Sequence, residues 1–191
     1  MNLKRNLTGL LDFSGRQNRE PFWIWVLICY VVRTGVSMIA MIPFFAGMFG
    51  NFERIAARGP GAAPIKPEEM FADMQPWMFG MALGGAVAGV VFVGLVAAAV
   101  VRRLHDREIS GWWALPVLLI NVVSQVSSLS MMASGKLNLK ADPAHPFANV
   151  TQNFGLLSLL TLVTIIAFVV VLALPGTPGA NRYGPDPLAA R

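Results

Sequence analysis

RRLHDREISGWW, residues 102–113, is the stretch that decides how this chain reads. It follows the apolar run at about 77–101 and runs into another at about 112–133, yet it gathers Arg102, Arg103, His105, Asp106, Arg107 and Glu108 within seven residues. Of the 191 residues, 55% are hydrophobic and 13% charged, against roughly 25% charged in soluble domains. A knot of charge between two runs that can each cross ~30 Å of hydrocarbon reads as a loop between membrane helices.

Working outward from that loop, two further apolar runs appear. The chain is therefore predicted to be all-α, a polytopic four-transmembrane-helix bundle in one membrane domain, with spans at about 22–42, 77–101, 112–133 and 154–174. The first run is too long for a signal-peptide core and is expected to be retained. The connections are a loop at about 50–76, the 102–111 loop, a loop at about 134–153 and a tail at 175–191. Pro67-Glu68-Glu69 has the composition of a helix start and should open a short surface helix leading into Trp77. Pro175-Gly176 is a strong stop for the fourth span.

Charge sets the expected orientation. Four spans put the N-terminal segment, the 102–111 loop and the tail on one side, which holds nine Lys or Arg and a net charge of +4. The loops at 50–76 and 134–153 hold five and a net charge of zero. Excess Lys and Arg belong on the inner face, so both termini are predicted to be cytoplasmic. The overall charge of +5 is spread among these segments rather than gathered into a basic module, and no nucleic-acid partner is expected. The single cysteine, Cys29, allows neither an intrachain disulfide nor a cysteine metal site.

A few polar groups fall inside the spans. Arg33 lies near the middle of the first, where a cation costs about 2.5–3.5 kcal/mol. It should face the bundle and meet the polar stripe of the third span, Asn121 or Gln125, flanked by Ser124 and Ser128. Gly80 and Gly84, then Gly85 and Gly89, sit four apart on the second span. Such pairs permit close packing, within the bundle or in a homo-oligomer.

Three segments then align with a known pattern: SGRQNREPFW before the first span, RRLHDREISGWWAL after the second and PGTPGANRYGPDP after the fourth. Together they resemble the bacterial inner-membrane family called domain of unknown function 805. The resemblance implies a small multi-pass protein of the bacterial inner (cytoplasmic) membrane, without an established activity, substrate or cofactor. The long loops at 50–76 and 134–153 depart from the compact family pattern.

The candidate site follows from the same segments. Arg102 and Arg103 precede Asp106 by four and three residues, so on a helix either could pair with it. The proline- and glycine-rich tail is expected to fold back over the loop, with Arg182 and Asp186 crossing to Asp106 and to Arg102 or Arg103. The anion, headgroup or interaction site is accordingly drawn from Arg16, Arg19, Arg102, Arg103, His105, Asp106, Trp112, Asn181, Arg182, Tyr183 and Asp186. His145 stands alone in its loop, and no metal or cofactor is expected. The leading expectation is a non-catalytic module that binds anionic lipid headgroups or partner proteins through its cytoplasmic face. A small oligomeric transporter or channel using Arg33 and the third span is the second reading. A membrane-embedded enzyme using His105 and Asp106 is the third, although no hydrolase, metalloprotease or nucleotide-binding motif accompanies them.

Overall fold

The computed structural model describes residues 3–59, 67–134 and 148–189. They form five α-helices: α1 (Leu3–Thr8), α2 (Arg19–Ala57), α3 (Pro67–His105), α4 (Ala114–Ala133) and α5 (Ala148–Ala173). A single 3-10 turn, Gly111–Trp113, leads into α4. No strand occurs among the described residues beyond one isolated bridge, Asn181 to Gly184. Four helices, α2 to α5, are long and apolar enough to cross a membrane. The protein is an all-α, multi-pass membrane protein.

Helix α2 packs antiparallel along α3. Trp25 meets Leu95, Ala40 lies against Gly84, and Gly47 against Trp77. As the number climbs on α2 it falls on α3, so the hairpin keeps one register along the membrane-spanning length. Gly84 is what permits it: a Cβ there would come within 2.8 Å of the Ala40 methyl. Helix α4 returns along α3, and α5 along α4.

The 27-residue loop expected at 50–76 is largely helix. Helix α2 runs on to Ala57 and stops at Arg58-Gly59, where Gly59 has φ 74° and Arg58 N–H reaches Ile55 O. Helix α3 opens at Pro67, the residue read as a helix start, but it runs on unbroken to His105, so the short surface helix expected before Trp77 is instead the first turns of the second span's own helix. The reason is that polarity ends a membrane span but not a helix. NFERIAA contains no breaker, and residues such as Glu, Arg and Ala favour helix. At 39 residues each, α2 and α3 are about 58 Å long, nearly twice the hydrocarbon thickness, and they overshoot it together. The loop at 134–153 is shortened by α5, which begins at Ala148. His145 lies outside the described residues.

The core sits at one end. Phe22, Trp25 and Cys29 of α2 are buried with Val96, Ala99 and Leu104 of α3 and Leu172 of α5. Trp25 turns its indole N–H onto Leu95 O at 3.0 Å, so the buried ring leaves no donor unpaired. Elsewhere the large apolar side chains point outward, among them Val31, Ile39, Val90, Leu119, Leu159 and Val163. In water that surface would aggregate, whereas in lipid it is solvated.

The intramembrane polar residues are partnered differently from expectation. Arg33 forms no hydrogen bond to Asn121 or Gln125; its guanidinium carbon lies 5.6 Å from the centre of the Phe92 ring. Asn121 donates to Val117 O on its own helix (2.7 Å), and Ser128 to Ser124 O (2.9 Å). The interhelical bond of this stripe is Ser124 to Thr161 of α5, at 2.6 Å. A helical side chain within reach of its own i−4 carbonyl can satisfy itself locally, and that removes the need for a partner helix.

Candidate functional site

The last turn of α3 is the foundation of the site. Helix α3 ends at His105, and Glu108 follows with φ 60°. Ile109 N–H bonds Leu104 O and Glu108 N–H bonds His105 O, so two otherwise orphaned carbonyls are closed in a Schellman turn. Glycine usually takes the position that Glu108 holds, and a side chain there costs about 1–2 kcal/mol. Ile109 packs on the buried cluster in return. Gly111 then lies where a Cβ would fall 2.7 Å from Val101 Cγ1, which lets the chain turn tightly into α4.

Around this turn the three motif segments converge. Asp106, 3% exposed, receives Arg16 Nε on one carboxylate oxygen at 3.0 Å and Arg103 Nη1 on the other at 2.5 Å. Arg16 also donates to Thr177 O (2.6 Å) and Gly179 O (2.5 Å). One carboxylate thus holds the N-terminal segment, the end of α3 and the tail together. Arg103, fully buried, donates to Leu172 O at 2.9 Å and to Leu174 O. Arg107 donates to Val171 O at 2.8 Å. The final carbonyls of α5 have no helical donors of their own, and cations at a helix C-terminus suit its dipole.

Arg102 takes a different direction from the one its spacing allowed. Its guanidinium, 1% exposed, binds Gln17 Oε1 (3.1 Å), Asn6 Oδ1 (2.8 Å), Gly9 O (3.0 Å) and Asp12 O, and not Asp106. Its own carbonyl accepts Gln17 N–H at 3.1 Å. Arg102 therefore fastens α1 and the 9–17 segment, while Arg103 takes the carboxylate at i+3. With their N–H groups directed inward, Arg102 and Arg103 present no open fork to a headgroup.

The tail lies over the loop. Thr177 N–H and Oγ1 both donate to Asp106 O, at 2.9 and 3.1 Å. Asn181 donates to His105 O at 3.0 Å, and Tyr183 stacks flat on the His105 ring at 3.8 Å. Arg182 donates to Glu108 O at 2.7 Å and lies over the Tyr183 ring, rather than reaching Asp106. Asp186 does not cross to Arg102 or Arg103 either; it caps Gly179 and Leu188 N–H within the tail. A short carboxylate next to unpaired backbone donors binds them before it can reach a distant cation. His105 Nδ1 faces Gly15 O at 3.3 Å, and Asp106 is held by arginines, so the two do not form an acid–base pair.

Thus Arg16, Arg102, Arg103, His105, Asp106, Asn181, Arg182, Tyr183 and Asp186 share one end of the molecule. Arg19 is exposed beside them, and so are Trp112 (76%) and Trp113 (67%). Arg33, Asn121 and Gln125 lie away from them, on the membrane-spanning lengths of α2 and α4. Sequence reading missed Asn6, Gln17, Arg107, Gly176 and Thr177. Gln17 beside Arg16, and Gly176 in the PGTPG segment, were the available signals. No group of three His, Cys, Asp or Glu among the described residues could hold a metal.

A family model for proteins of unknown function, DUF805, matches residues 10–185. The chain belongs to the DUF805 family. The match takes in all three segments of the clasp, from Arg16 through Asp106 to Tyr183. No curated protein and no solved structure matches it. What this DUF805 chain displays is an end-cap in which motif residues far apart in sequence bind one another.

The tail turn of this DUF805 chain should respond to acid. Leu188 and Gly179 N–H groups hold the Asp186 carboxyl below its ordinary value of 3.8. A carboxyl depressed on folding adds stability above the unfolded value, and this is lost as pH falls through the folded one. Protease resistance of residues 177–189 should therefore be full at neutral pH and decline below about pH 4. Asp186→Asn should show the weakened resistance already at pH 7, and limited proteolysis followed by mass spectrometry measures both.

Proposed function

We propose that the protein is a non-catalytic module of the bacterial inner membrane whose polar end-cap faces the cytoplasm and binds anionic lipid headgroups. The observation that carries this reading is a division among the cations at that end. Arg16, Arg102 and Arg103 point inward and lock the clasp, whereas Lys4, Arg5, Arg19 and Arg182 stay exposed beside Trp112 and Trp113. Tryptophan suits the headgroup layer, and each basic residue near an anionic surface contributes about 1 kcal/mol. A locked cap presents these groups without an ordering cost at binding. The charge asymmetry between the two ends supports the orientation.

The test pairs binding with sidedness. In nanodiscs of phosphatidylcholine with added phosphatidylglycerol, native mass spectrometry should count fewer retained anionic lipids for Arg19→Glu/Arg182→Glu, by about thirtyfold in affinity. The loss should shrink at high salt, because exposed charges are screened. Arg58→Glu, at the opposite end of α2, should leave retention unchanged. In a Cys29→Ser background, an impermeant thiol reagent on whole cells should label Arg58→Cys and spare Leu188→Cys. Equal effects of the two charge changes, or labelling of position 188 instead, would overturn the reading.

A further inference from the structure

We infer that Arg33, with the face of α3 beside it, binds the phosphate of an anionic phospholipid within the membrane-spanning part. This site is separate from the end-cap and stands independently of the headgroup reading above. Arg33 forms no hydrogen bond to any described residue, and its Nε is buried without a partner. Among the described residues it is the Phe92 ring that faces its guanidinium carbon, and a ring face satisfies none of the N–H groups. In a bilayer those donors cannot turn to water.

The chain supplies no counter-charge. Its ten acids are at 12, 20, 53, 68, 69, 73, 106, 108, 142 and 186, and none falls between Phe22 and Asn51 or between Met74 and Val101. A second copy packed on this face would bring another Arg33 and no carboxylate, so self-association leaves the charge uncompensated. The occupant must carry the anion itself. A planar guanidinium fork matches two phosphate oxygens, and the low dielectric strengthens such a pair.

The neighbouring surface fits that occupant. One turn along α3 from Phe92, Gly89 has the Gln125 amide nitrogen lying over it, where a Cβ would be 3.5 Å away. That amide nitrogen is a second donor on the same face. One further turn along the same face, Gly85 has open space where a Cβ would stand. Depth points to a lipid phosphate rather than a dissolved anion. Arg33 lies eleven residues beyond Phe22, about 16 Å along the axis, and a helical side chain leans back toward the N-terminus. The guanidinium therefore reaches toward the leaflet at the end-cap, where local thinning brings a phosphate to meet it.

The experiment is native mass spectrometry of the purified full chain titrated with dioleoyl phosphatidylglycerol. One phosphatidylglycerol should persist at 0.5 M ammonium acetate, at which surface-held lipid leaves. Arg33→Leu, which inserts more readily than the native residue, should weaken that lipid at least tenfold. Arg33→Lys should weaken it about threefold, since the charge remains and the fork is lost, and Gln125→Leu about twofold. Arg19→Glu/Arg182→Glu should leave it in place, which separates this site from the end-cap. Undiminished retention in Arg33→Leu, or displacement of the lipid by inorganic phosphate, would overturn the assignment.

Discussion

Asp106→Ala is expected to cost about 3–5 kcal/mol of stability, because removing one member of a buried ion pair leaves the other charged and unpaired. Here two cations are stranded together. Arg16 Nε at 3.0 Å and Arg103 Nη1 at 2.5 Å both lose their carboxylate in an enclosed site. The tail should loosen as well, since Arg16 is what reaches Thr177 O and Gly179 O. Asp106→Asn keeps the shape and one acceptor oxygen and should cost less. Denaturant unfolding of the purified protein ranks the three chains, and protease cleavage within 177–189 reports the tail. An alanine variant as stable as the native chain would mean that the arginines find other acceptors.

Gly176→Ala should approach that effect without touching a charge. A Cβ at 176 would fall 2.6 Å from Asp106 Cγ and closer still to a carboxylate oxygen. A flexible side chain could swing away, but this carboxylate is fixed from both sides by guanidiniums. The added methyl must therefore lift the tail or break the ion pair. Overpacking costs about 1–3 kcal/mol, and partial loss of the pair brings the expected total to about 3 kcal/mol. Gly179→Ala is the control. It has open space around it and φ 74°, so only about 1–2 kcal/mol of left-handed backbone strain is expected. Equal melting shifts for the two glycine variants would place the tail away from Asp106.

The two variants also bear on what binds where. If the end-cap meets headgroups through Lys4, Arg5, Arg19 and Arg182, then loosening it leaves those charges present but no longer fixed relative to one another. Anionic lipid retention should then fall in Asp106→Ala and Gly176→Ala although no exposed cation has been removed. The Arg33 site, on a different stretch of α2, should keep its lipid in both.

The number of membrane-crossing helices was legible from composition alone, because length and apolarity are properties of a segment and need no partner. An even number of spans then returns the tail to the side of the N-terminal segment, and a chain so dense in proline and glycine was readable as a fixed path rather than a loose end. It was equally legible that Asp106 must be paired. Which cation pairs with it was decided by the tertiary structure. Arg102 and Arg103 are both within helical reach of Asp106, yet one step around the helix turns Arg102 to the N-terminal segment and Arg103 to α5. Arg16 arrives from 90 residues away, a separation across which spacing carries no information. Asp186 illustrates the converse: two backbone N–H groups two and seven residues away captured the carboxylate expected to cross to an arginine. Arg33, too, met an aromatic ring rather than the amides of α4: Asn121 bonds Val117 O of its own helix, and the Gln125 amide lies over Gly89 of α3. Hydrogen bonds and ion pairs act over about 3 Å, so their partners are fixed only once packing has set the distances.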